Sequence, residues 1–548
     1  METFSVVLTG RKLCDLEILL NGGFKPLTGY LKEKDYKSVC DNMTLSTGEI
    51  WPMPIVFKIS EEEYSVWKSN SSVILKDNTN LPLAKFNIEE IYRPDLKKEC
   101  LSVFDTDDTN HPYVKTLLSD KNVYYVGGSV ELLNLPFHFD YQSLRMSPEG
   151  VKSQIKSKGW TKVVGFQTRN PMHKSHQQLT LRSLKILEEQ YPNERCGILL
   201  HPIVGITQDC DIDYHCRVKC YKKLLEHYDK DKVILSLLPL SMRMGGPREA
   251  LWHALIRKNY GCSHFIVGRD HAGPSYRKKN GEPFYDPYGA HSLVTSMSDK
   301  IGIDVIMSKM IVYQPSSGEY LPIDNVTDKN DILTLSGTQL RECLKKNKPI
   351  PSWFTYPSIT KILKEHNSDK KNGLCIYLVG LSGSGKSFIA RALQESLNEL
   401  VSKPITILDG DIVRQELSKG LGFTRKDRSL NVRRIGYVAS EIVKHSGIVI
   451  CSNIAPYQDD RLHNRNLISK YGTYLEVYIN SPLELCESRD CKGLYKLARE
   501  GKIKEFTGIS DPFEPPVNPD FTFVSDNTKN INKKIMLIIE RLRKDNVL

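Results

Sequence analysis

Gln167-Thr-Arg-Asn-Pro-Met-His-Lys-Ser-His176 is the stretch on which the reading of this chain turns. Apolar Val163-Val-Gly-Phe166 precedes it and Gln177-Gln-Leu-Thr-Leu-Arg-Ser-Leu184 follows, so it reads as a strand end, a polar turn and a helix start. In an α/β domain a ligand sits at such a junction, where the carboxyl end of the sheet meets the free N–H groups of a helix. His173 and His176 are expected on one helical face, with Arg169 just upstream. Gln167, Arg169, Asn170 and two imidazoles crowded into one turn suit a bound polyphosphate better than a packed core. The histidine pair alone would equally well cap the helix or bond within the fold.

Similar units lie further along. Cys196-Gly-Ile-Leu-Leu200 leads into the loop His201-Pro-Ile-Val-Gly205, and Val233-Ile-Leu-Ser-Leu-Leu-Pro239 precedes Arg243 and Arg248. His264-Phe-Ile-Val-Gly268 delivers Arg269, Asp270 and His271. Strands alternating with helices, each releasing polar residues at its end, predict a doubly wound, mostly parallel sheet with function at one rim. Arginines and histidines gathered there make a pocket for a nucleoside triphosphate and a second anion. Before this region, the helical spacing of Arg11-Lys-Leu-Cys-Asp-Leu-Glu-Ile-Leu-Leu20 is ended by Asn21-Gly22-Gly23. Short apolar runs follow, Trp51-Pro-Met-Pro-Ile-Val-Phe57, Ser72-Val-Ile-Leu75 and Val123-Tyr-Tyr-Val126, which predict a small β-rich domain.

A second nucleotide site is written more plainly. After the polar linker Asn367-Ser-Asp-Lys-Lys-Asn-Gly373, the strand Leu374-Cys-Ile-Tyr-Leu-Val379 runs into Gly380-Leu-Ser-Gly-Ser-Gly-Lys-Ser387 and a helix opening at Phe388. This is a full phosphate-binding loop in its required context. Gly380, Gly383 and Gly385 let backbone N–H groups, with that of Ser384, close around phosphates; Lys386 supplies charge, and the Ser387 hydroxyl is a ligand for Mg²⁺. Asp409 and Asp411 follow another apolar run, where one carboxylate can order metal-bound water and the other can take a hydroxyl proton.

The chain has 548 residues, too many for one core. Its 76 Lys and Arg against 65 Asp and Glu leave a formal excess of +11, which suits small anionic substrates. No basic arm interleaved with aromatics is present, so nucleic acid is not an expected partner. No run is long and apolar enough for a membrane span and the first residues lack a leader pattern, so no membrane association is expected. The odd count of 13 cysteines predicts a reducing cytoplasm. Cys210, Cys216 and Cys220 lack a paired-cysteine spacing, and no structural zinc is expected.

The 167–176 stretch, together with Leu237-Leu-Pro-Leu-Ser-Met-Arg-Met-Gly-Gly-Pro-Arg-Glu-Ala250 and Phe265-Ile-Val-Gly-Arg-Asp-His-Ala-Gly-Pro274, resembles the ATP sulfurylase (sulfate adenylyltransferase) family. Ser336-Gly337-Thr338 and Arg341 are similar to the late motif of the wider nucleotidyltransferases. The likeness runs from about Leu13 to His366. It implies an N-terminal PUA-like barrel over residues 1–135, a Rossmann-like nucleotidyltransferase domain over 136–310 and a small subdomain over 311–367. It also implies roles. Gln167 and Arg169 would hold sulfate with Arg269 and the backbone around Ala272, and Thr168 and His271 would be among the residues that bind sulfate or ATP. His173 and His176 would contact the triphosphate and the leaving pyrophosphate, Asn170 would orient the α-phosphate, and the segment from Met310 to Val312 would lie by the adenine. One departure stands out: after His-Pro-x-Val-Gly the family carries a Lys and a Gly, whereas this chain has Thr207-Gln-Asp-Cys-Asp211.

Asp409-Gly-Asp-Ile-Val-Arg414, Leu421-Gly-Phe-Thr-Arg425, Asp427-Arg-Ser-Leu-Asn-Val-Arg-Arg434, Ile454-Ala-Pro-Tyr457 and Lys492-Gly-Leu-Tyr495 resemble the adenylylsulfate kinases, a P-loop fold, here over residues 368–548. By that resemblance Asp411 is the base for the 3′-hydroxyl and Asp409 joins Ser387 as a Mg²⁺ ligand, partly through water. Arg414, Arg428, Asn431, Ile454 and Lys492 would bind adenylylsulfate, Phe423 and Phe506 would pack on its adenine, and Arg489 would lie on the adenine of ATP. Lys492 and the segment from Lys504 to Gly508 look like a closing lid. Ala455 stands where many of these kinases have Ser, which argues for direct phosphoryl transfer. Together the two resemblances imply an α/β multidomain enzyme using Mg²⁺–ATP. It would convert sulfate to adenylylsulfate and pyrophosphate, then adenylylsulfate to 3′-phosphoadenylylsulfate (PAPS), as a homo-oligomer, dimer or hexamer. The alternative is a sulfurylase whose C-terminal domain senses PAPS; the intact phosphate loop and both aspartates weigh against it.

Overall fold

A computed structural model describes residues 4–119, 123–335, 337–345, 348–367, 373–490, 493–524, 530–545 and 547–548. It divides into two compact units, Met1–Phe137 with Gln142–Leu363, and His138–Tyr141 with Lys364–Leu548.

The first unit opens with a sheet of seven strands among the described residues: β1 (Ser5–Val7), β2 (Gly29–Tyr30), β3 (Phe57–Ser60), β4 (Ser72–Lys76), β5 (Pro82–Asn87), β6 (Glu90–Tyr92) and β7 (Val123–Leu132). β7 is its hub, pairing antiparallel with β3 and β6 through one half and with β2 and β5 through the other. β1 lies parallel to β4. The helix Gly10–Leu20 ends as its sequence predicts: Asn21 caps it, its side chain accepts the N–H of Gly23 at 2.9 Å, and Gly22 takes a φ of 84°. The run from Trp51 to Phe57 forms a strand only from its last residue. Pro52 and Pro54 have no N–H to give a ladder, so the preceding residues make only single backbone bonds, Trp51 N–H to the Met43 carbonyl and Leu31 N–H to the Ile55 carbonyl, with Trp51 and Met53 fully buried.

The central sheet is built from β8 (Lys162–Phe166), β9 (Cys196–Leu200), β10 (Val233–Leu235), β11 (His264–Val267) and β12 (Asp304–Met307), in the order β10-β9-β8-β11-β12 and wholly parallel. Chain order reverses between β8 and β11, and their carboxyl ends therefore flank the crevice where a doubly wound sheet takes its ligand. The helix Gly246–Asn259 is buried on nearly every side, with Trp252 against Phe24 at 5.2 Å, so this sheet and the N-terminal one share a continuous apolar core. An antiparallel hairpin, β13 (Ile311–Gln314) and β14 (Glu319–Pro322), follows, then the helices Gly337–Lys345 and Pro357–Asn367.

The second unit is a parallel sheet of β15 (Gly373–Val379), β16 (Ile405–Asp409), β17 (Ile448–Ser452), β18 (Gly472–Ile479) and β19 (Phe521–Phe523), ordered β16-β17-β15-β18-β19. Residues 138–141 belong to it. The Phe139 N–H donates to Glu395 at 2.7 Å, the Tyr141 N–H donates to Glu399, and the Phe139 ring meets Phe388 edge-on at 5.3 Å. Phe388 and Glu395 lie on the helix Lys386–Asn398 that leaves the phosphate loop.

Close packing under the central sheet gives a direct test. A Cβ on Gly197 in β9 would fall 2.2 Å from the ring of Trp160, which is itself buried and donates through its indole N–H to the Asp231 carbonyl. Gly197→Ala is expected to destabilise the first unit by about 1–3 kcal/mol, read as a lowered Tm. An unchanged Tm would mean that Trp160 shifts freely.

Candidate active sites

The turn after β8 opens into a cavity of about 750 Å³ at the carboxyl ends of β8 and β11. Gln167, Thr168, Arg169, Asn170, His173, His176, Arg269, His271 and Ala272 all line it, so the structure brings these sequence-predicted residues together. Val312 is the exception. It is 1 % exposed, while its neighbours Met310 and Ile311 line the cavity, because adjacent residues of a strand face opposite ways. Leu335, Gly337 and Leu340 reach the cavity from the late motif; Ser336 and the side chains of Thr338 and Arg341 lie outside the described residues.

The two histidines do different work. His173 is not on the helical face; it is the N-cap of the helix Lys174–Gln190, with extended backbone. Its N–H donates to Nδ1 of His176 at 3.2 Å, which leaves the proton of a neutral His176 on Nε2. Burial holds His176 down to about 4 and, together with His176 itself, holds His173 well below the usual imidazole range. Both rings are therefore held neutral, and His176 keeps an N–H at Nε2. The Phe354 ring lies against that of His173, tilted by 35° with centroids 4.1 Å apart, an apolar wall that the sequence does not signal.

Arg169 carries the positive charge of the turn and is already paired. Its Nη1 donates to both carboxylate oxygens of Asp211 at 2.7 Å, with Asp211 4 % and Arg169 15 % exposed. Asp211 belongs to the loop that departs from the family pattern. Gln208 of the same loop is buried, accepts the Ser275 N–H at 3.0 Å and donates to the Ser275 hydroxyl at 3.3 Å. Thus the loop closes over the cavity with an acid against its arginine. Arg269 is exposed and bonded to its neighbour Asp270 at 2.9 Å. Asp270 and Ala272 both hold left-handed backbone, φ 55° and 57°, in the tight turn after β11. The backbone of Asn170 is fixed by the Thr168 hydroxyl at 3.1 Å and by Tyr221, whose hydroxyl donates to its carbonyl at 2.7 Å.

Behind the rim lies a chain of groups that sequence reading did not assign. Gln167 Nε2 is 2.8 Å from Nδ1 of His253, which is also 3.3 Å from Nε2 of His271. His253 Nε2 lies 3.3 Å from Glu249, somewhat off the ideal hydrogen-bond line. Burial raises the Glu249 carboxyl, but His253 and the N–H groups of Arg243 and Gly245 outweigh it and hold the group ionised. Burial keeps His253 neutral against the pull of Glu249. The i, i+4 spacing of Glu249 and His253 was the available signal.

In the second unit, Gly383 and Gly385 hold φ of 70° and 99°, as a loop wrapped round phosphates needs. Lys386 Nζ donates to the Leu381 carbonyl at 2.6 Å within that loop, and Arg489 donates to the Gly383 carbonyl at 3.5 Å. The buried Ser384 gives its carbonyl to Ser481 at 3.0 Å. Ser387 donates its hydroxyl to Asp409 at 2.9 Å, and Asp409 also caps the N–H of Asp411 at 3.0 Å. This hard-oxygen pair beside the phosphate loop fits Mg²⁺. Arg414 and Arg428 flank the exposed Phe423 ring, 4.5 and 5.6 Å from its centroid. Arg428 also donates to Phe423 O, to the Thr507 hydroxyl at 2.6 Å and to the Glu505 carbonyl, so the 505–507 segment is docked beside Phe423. Phe506 packs in a small apolar cluster, edge-on to Tyr495 at 5.0 Å. Asn431 is buried, Ile454 half-buried after β17, and Ala455 left-handed at φ 43°. Lys492 lies outside the described residues.

Three family models match in series: a PUA-like domain over residues 1–135, ATP-sulfurylase over 142–366 and adenylylsulphate kinase over 372–524. Over 542 residues the chain is 44% identical to the sulfate adenylyltransferases of Gibberella zeae and of Yarrowia lipolytica, covering 98% of this chain and 93% of each relative. A solved hexameric APS kinase from Thiobacillus denitrificans superposes with a TM-score of 0.55 at 27% identity, covering 100% of this chain and 94% of that one. At this identity and coverage the chain belongs to the sulfate adenylyltransferase family, with an adenylylsulfate kinase domain at its C-terminal end.

Proposed function

We propose that this chain activates sulfate in two steps at two separate sites. In the first, a sulfate oxygen attacks the α-phosphorus of ATP; the new P–O bond gives adenylylsulfate and the bond to pyrophosphate breaks. In the second, the 3′-hydroxyl of adenylylsulfate attacks the γ-phosphorus of another ATP, giving PAPS and ADP. The observation that carries this reading is the coexistence of an anion cavity lined by Arg169, Arg269 and three imidazoles with a complete phosphate loop whose Ser387 meets Asp409.

At the first site, Gln167, Arg169, Arg269, His271 and the backbone at Ala272 bind sulfate, with Thr168 shaping the turn. His173 and His176 donate to the triphosphate and to charge developing on pyrophosphate, and Asn170 orients the α-phosphate. Preorganised donors aimed at developing charge supply the rate, and no covalent intermediate is needed. At the second site, Lys386 and the loop N–H groups hold the transferred phosphoryl group and Asp411 takes the hydroxyl proton. Arg414, Phe423, Arg428, Asn431, Ile454, Lys492 and Phe506 bind adenylylsulfate, and Arg489 lies on the nucleotide. Mg²⁺ arriving with ATP would be held by Ser387 and Asp409 and would neutralise phosphate charge.

We read the three matched segments as a PUA-like barrel, a Rossmann-like nucleotidyltransferase domain with a small subdomain, and a P-loop kinase; the hub strand β7 and the two parallel sheets support this. The reading includes a cytoplasmic homo-oligomer, and the hexameric relative favours six copies over two. Among the described residues no helix is long and apolar enough to cross a membrane.

Paired substitutions separate the sites. His176→Ala is expected to depress pyrophosphate release from ATP plus sulfate while sparing phosphorylation of supplied adenylylsulfate. Lys386→Ala should do the reverse, lowering PAPS formation roughly 10²-fold or more. Wild-type protein that makes no PAPS from adenylylsulfate under saturating Mg–ATP, yet loses sulfurylase activity when PAPS is added, would establish the sensing alternative.

The Arg169–Asp211 pair predicts competition at the first site. Sulfate must displace a carboxylate from the guanidinium, so Asp211→Asn is expected to lower the KM for sulfate and leave that for ATP in place. A raised sulfate KM would show Asp211 to be a support for Arg169.

Titration of His176 gives a prediction of opposite kind. Its folded pKa of about 4 lies below the ordinary 6.5, so the unfolded chain protonates first as pH falls. The stability tied to this imidazole is complete above about pH 6.5 and drains toward pH 4. His176→Asn, which keeps an acceptor for the His173 N–H, should flatten that part of a Tm-against-pH curve; an unaltered slope would contradict the assignment.

A further inference from the structure

Sulfate is fully ionised in neutral water, so its oxygens only accept hydrogen bonds. Hydrogen phosphate, of similar size and charge, keeps one O–H and can also donate. A site that offers donors alone favours the first, and a site holding one acceptor admits the second. What each cavity-lining amide presents is therefore a matter of specificity. Gln167 can turn either its nitrogen or its oxygen to a given neighbour.

The structure settles that orientation through groups the reaction itself does not use. Glu249 is wholly buried and ionised, accepting N–H groups from Arg243 at 3.0 Å and Gly245 at 2.7 Å. Its Oε1 faces Nε2 of His253 at 3.3 Å. A carboxylate only accepts, so the neutral imidazole carries its proton on Nε2 and leaves Nδ1 as an acceptor. Nδ1 in turn calls for a donor, and Gln167 supplies Nε2 at 2.8 Å. The second N–H of that amide remains for the cavity that Gln167 lines. Its Oε1 is buried without a partner, hidden from the cavity at a cost that the His253 contact offsets. Nε2 of His271, 3.3 Å from the same Nδ1, is governed by the same acceptor.

We propose that the buried Glu249–His253 pair fixes the Gln167 amide with nitrogen forward, making this part of the cavity a donor-only surface that selects a fully ionised oxyanion. Glu249 and His253 are positioning residues that act through Gln167. The inference rests on the sulfurylase reading of the cavity.

Glu249→Gln tests it with almost no change of shape. With the new NH₂ facing His253, the remaining oxygen keeps the Gly245 N–H and takes the Arg243 N–H, which already lies 3.2 Å from it; the opposite arrangement would set the NH₂ 2.7 Å from the Gly245 donor, the closer of the two clashes. The NH₂ then needs an acceptor at Nε2, the imidazole proton moves to Nδ1, and Gln167 turns its oxygen forward; an isosteric amide commonly reverses a tautomer in this way. Initial rates of sulfate-dependent pyrophosphate release should show the KM for sulfate raised about tenfold or more, the KM for ATP unchanged, and competitive inhibition by inorganic phosphate strengthened relative to sulfate. Adding His253→Asn to Glu249→Gln removes the reversed imidazole and restores an adaptable amide, so the sulfate KM should fall back. Phosphorylation of adenylylsulfate by the same preparation reports that the chain is folded.

If Glu249→Gln leaves both the sulfate KM and the phosphate-to-sulfate ratio unchanged, the proposal is overturned. A loss of kcat with equal effects on every ligand, made worse by His253→Asn, also overturns it and assigns the pair to packing. Should wild-type protein release pyrophosphate from ATP without needing sulfate, the functional reading of the cavity fails instead, and the two failures are told apart in the wild-type control.

Discussion

A carboxylate with no access to water shapes the first site. Stripping an ion of its hydration costs several kcal/mol unless protein groups replace the lost water. Glu249 finds them in the N–H groups of Arg243 and Gly245, in His253, and in its place on the first turn of the helix Gly246–Asn259, where the helix dipole favours negative charge. Meeting that need bends the chain sharply: Met244 and Gly246 take φ of 60° and 53°. The turned loop sends Arg243 inward to Asp15 at 2.7 Å, locking the N-terminal helix to the central domain. The rim of β8 inherits its order from the same source through His253 and Gln167.

Under the proposed reading, the two sites would bind polyphosphates by different means. The first relies on neutral imidazoles and on guanidinium groups already matched by acids, Arg169 by Asp211 and Arg269 by Asp270. Before ligand arrives its charge is balanced, so binding exchanges one anion for another. The second draws on backbone N–H groups of a glycine loop, whose partial charges are fixed by the fold, with Lys386 folded onto a loop carbonyl. Arg414 and Arg428 both approach one ring, and their mutual repulsion adds to burial in lowering the affinity of Arg414 for its proton.

What could be read from the sequence was what lies contiguous in it. The phosphate loop, the turn after β8 and the strands β8, β9 and β11 each carry strand, turn and helix signals within some twenty residues, and their cavity-facing residues follow from them. Pairings across the fold left no such trace: Arg169 meets Asp211 from 42 positions away and Gln167 meets His253 from 86. The helix holding His253 is buried almost all round, so its sequence has no polar face against which one histidine stands out. Val312 was assigned to the ligand by its segment, but strand alternation turns it inward. The apolar run at Trp51 looked like a strand, and two prolines denied it a ladder. The edge-on contact of Phe506 with Tyr495 is likewise a pairing between separate segments that the sequence does not mark.

The four residues His138–Tyr141 that complete the second unit give the chain a particular history during synthesis. Phe139 is made 256 positions ahead of Glu395, the residue that accepts its N–H. At roughly 5–20 residues per second, the ribosome takes about ten to fifty seconds to cover that interval. Throughout it the early segment has been translated while the helix that receives it has not. The C-terminal unit thus finishes by reaching back to an old part of the chain, and a gene fragment that starts at the polar linker would encode a kinase short of one edge of its own phosphate-loop helix.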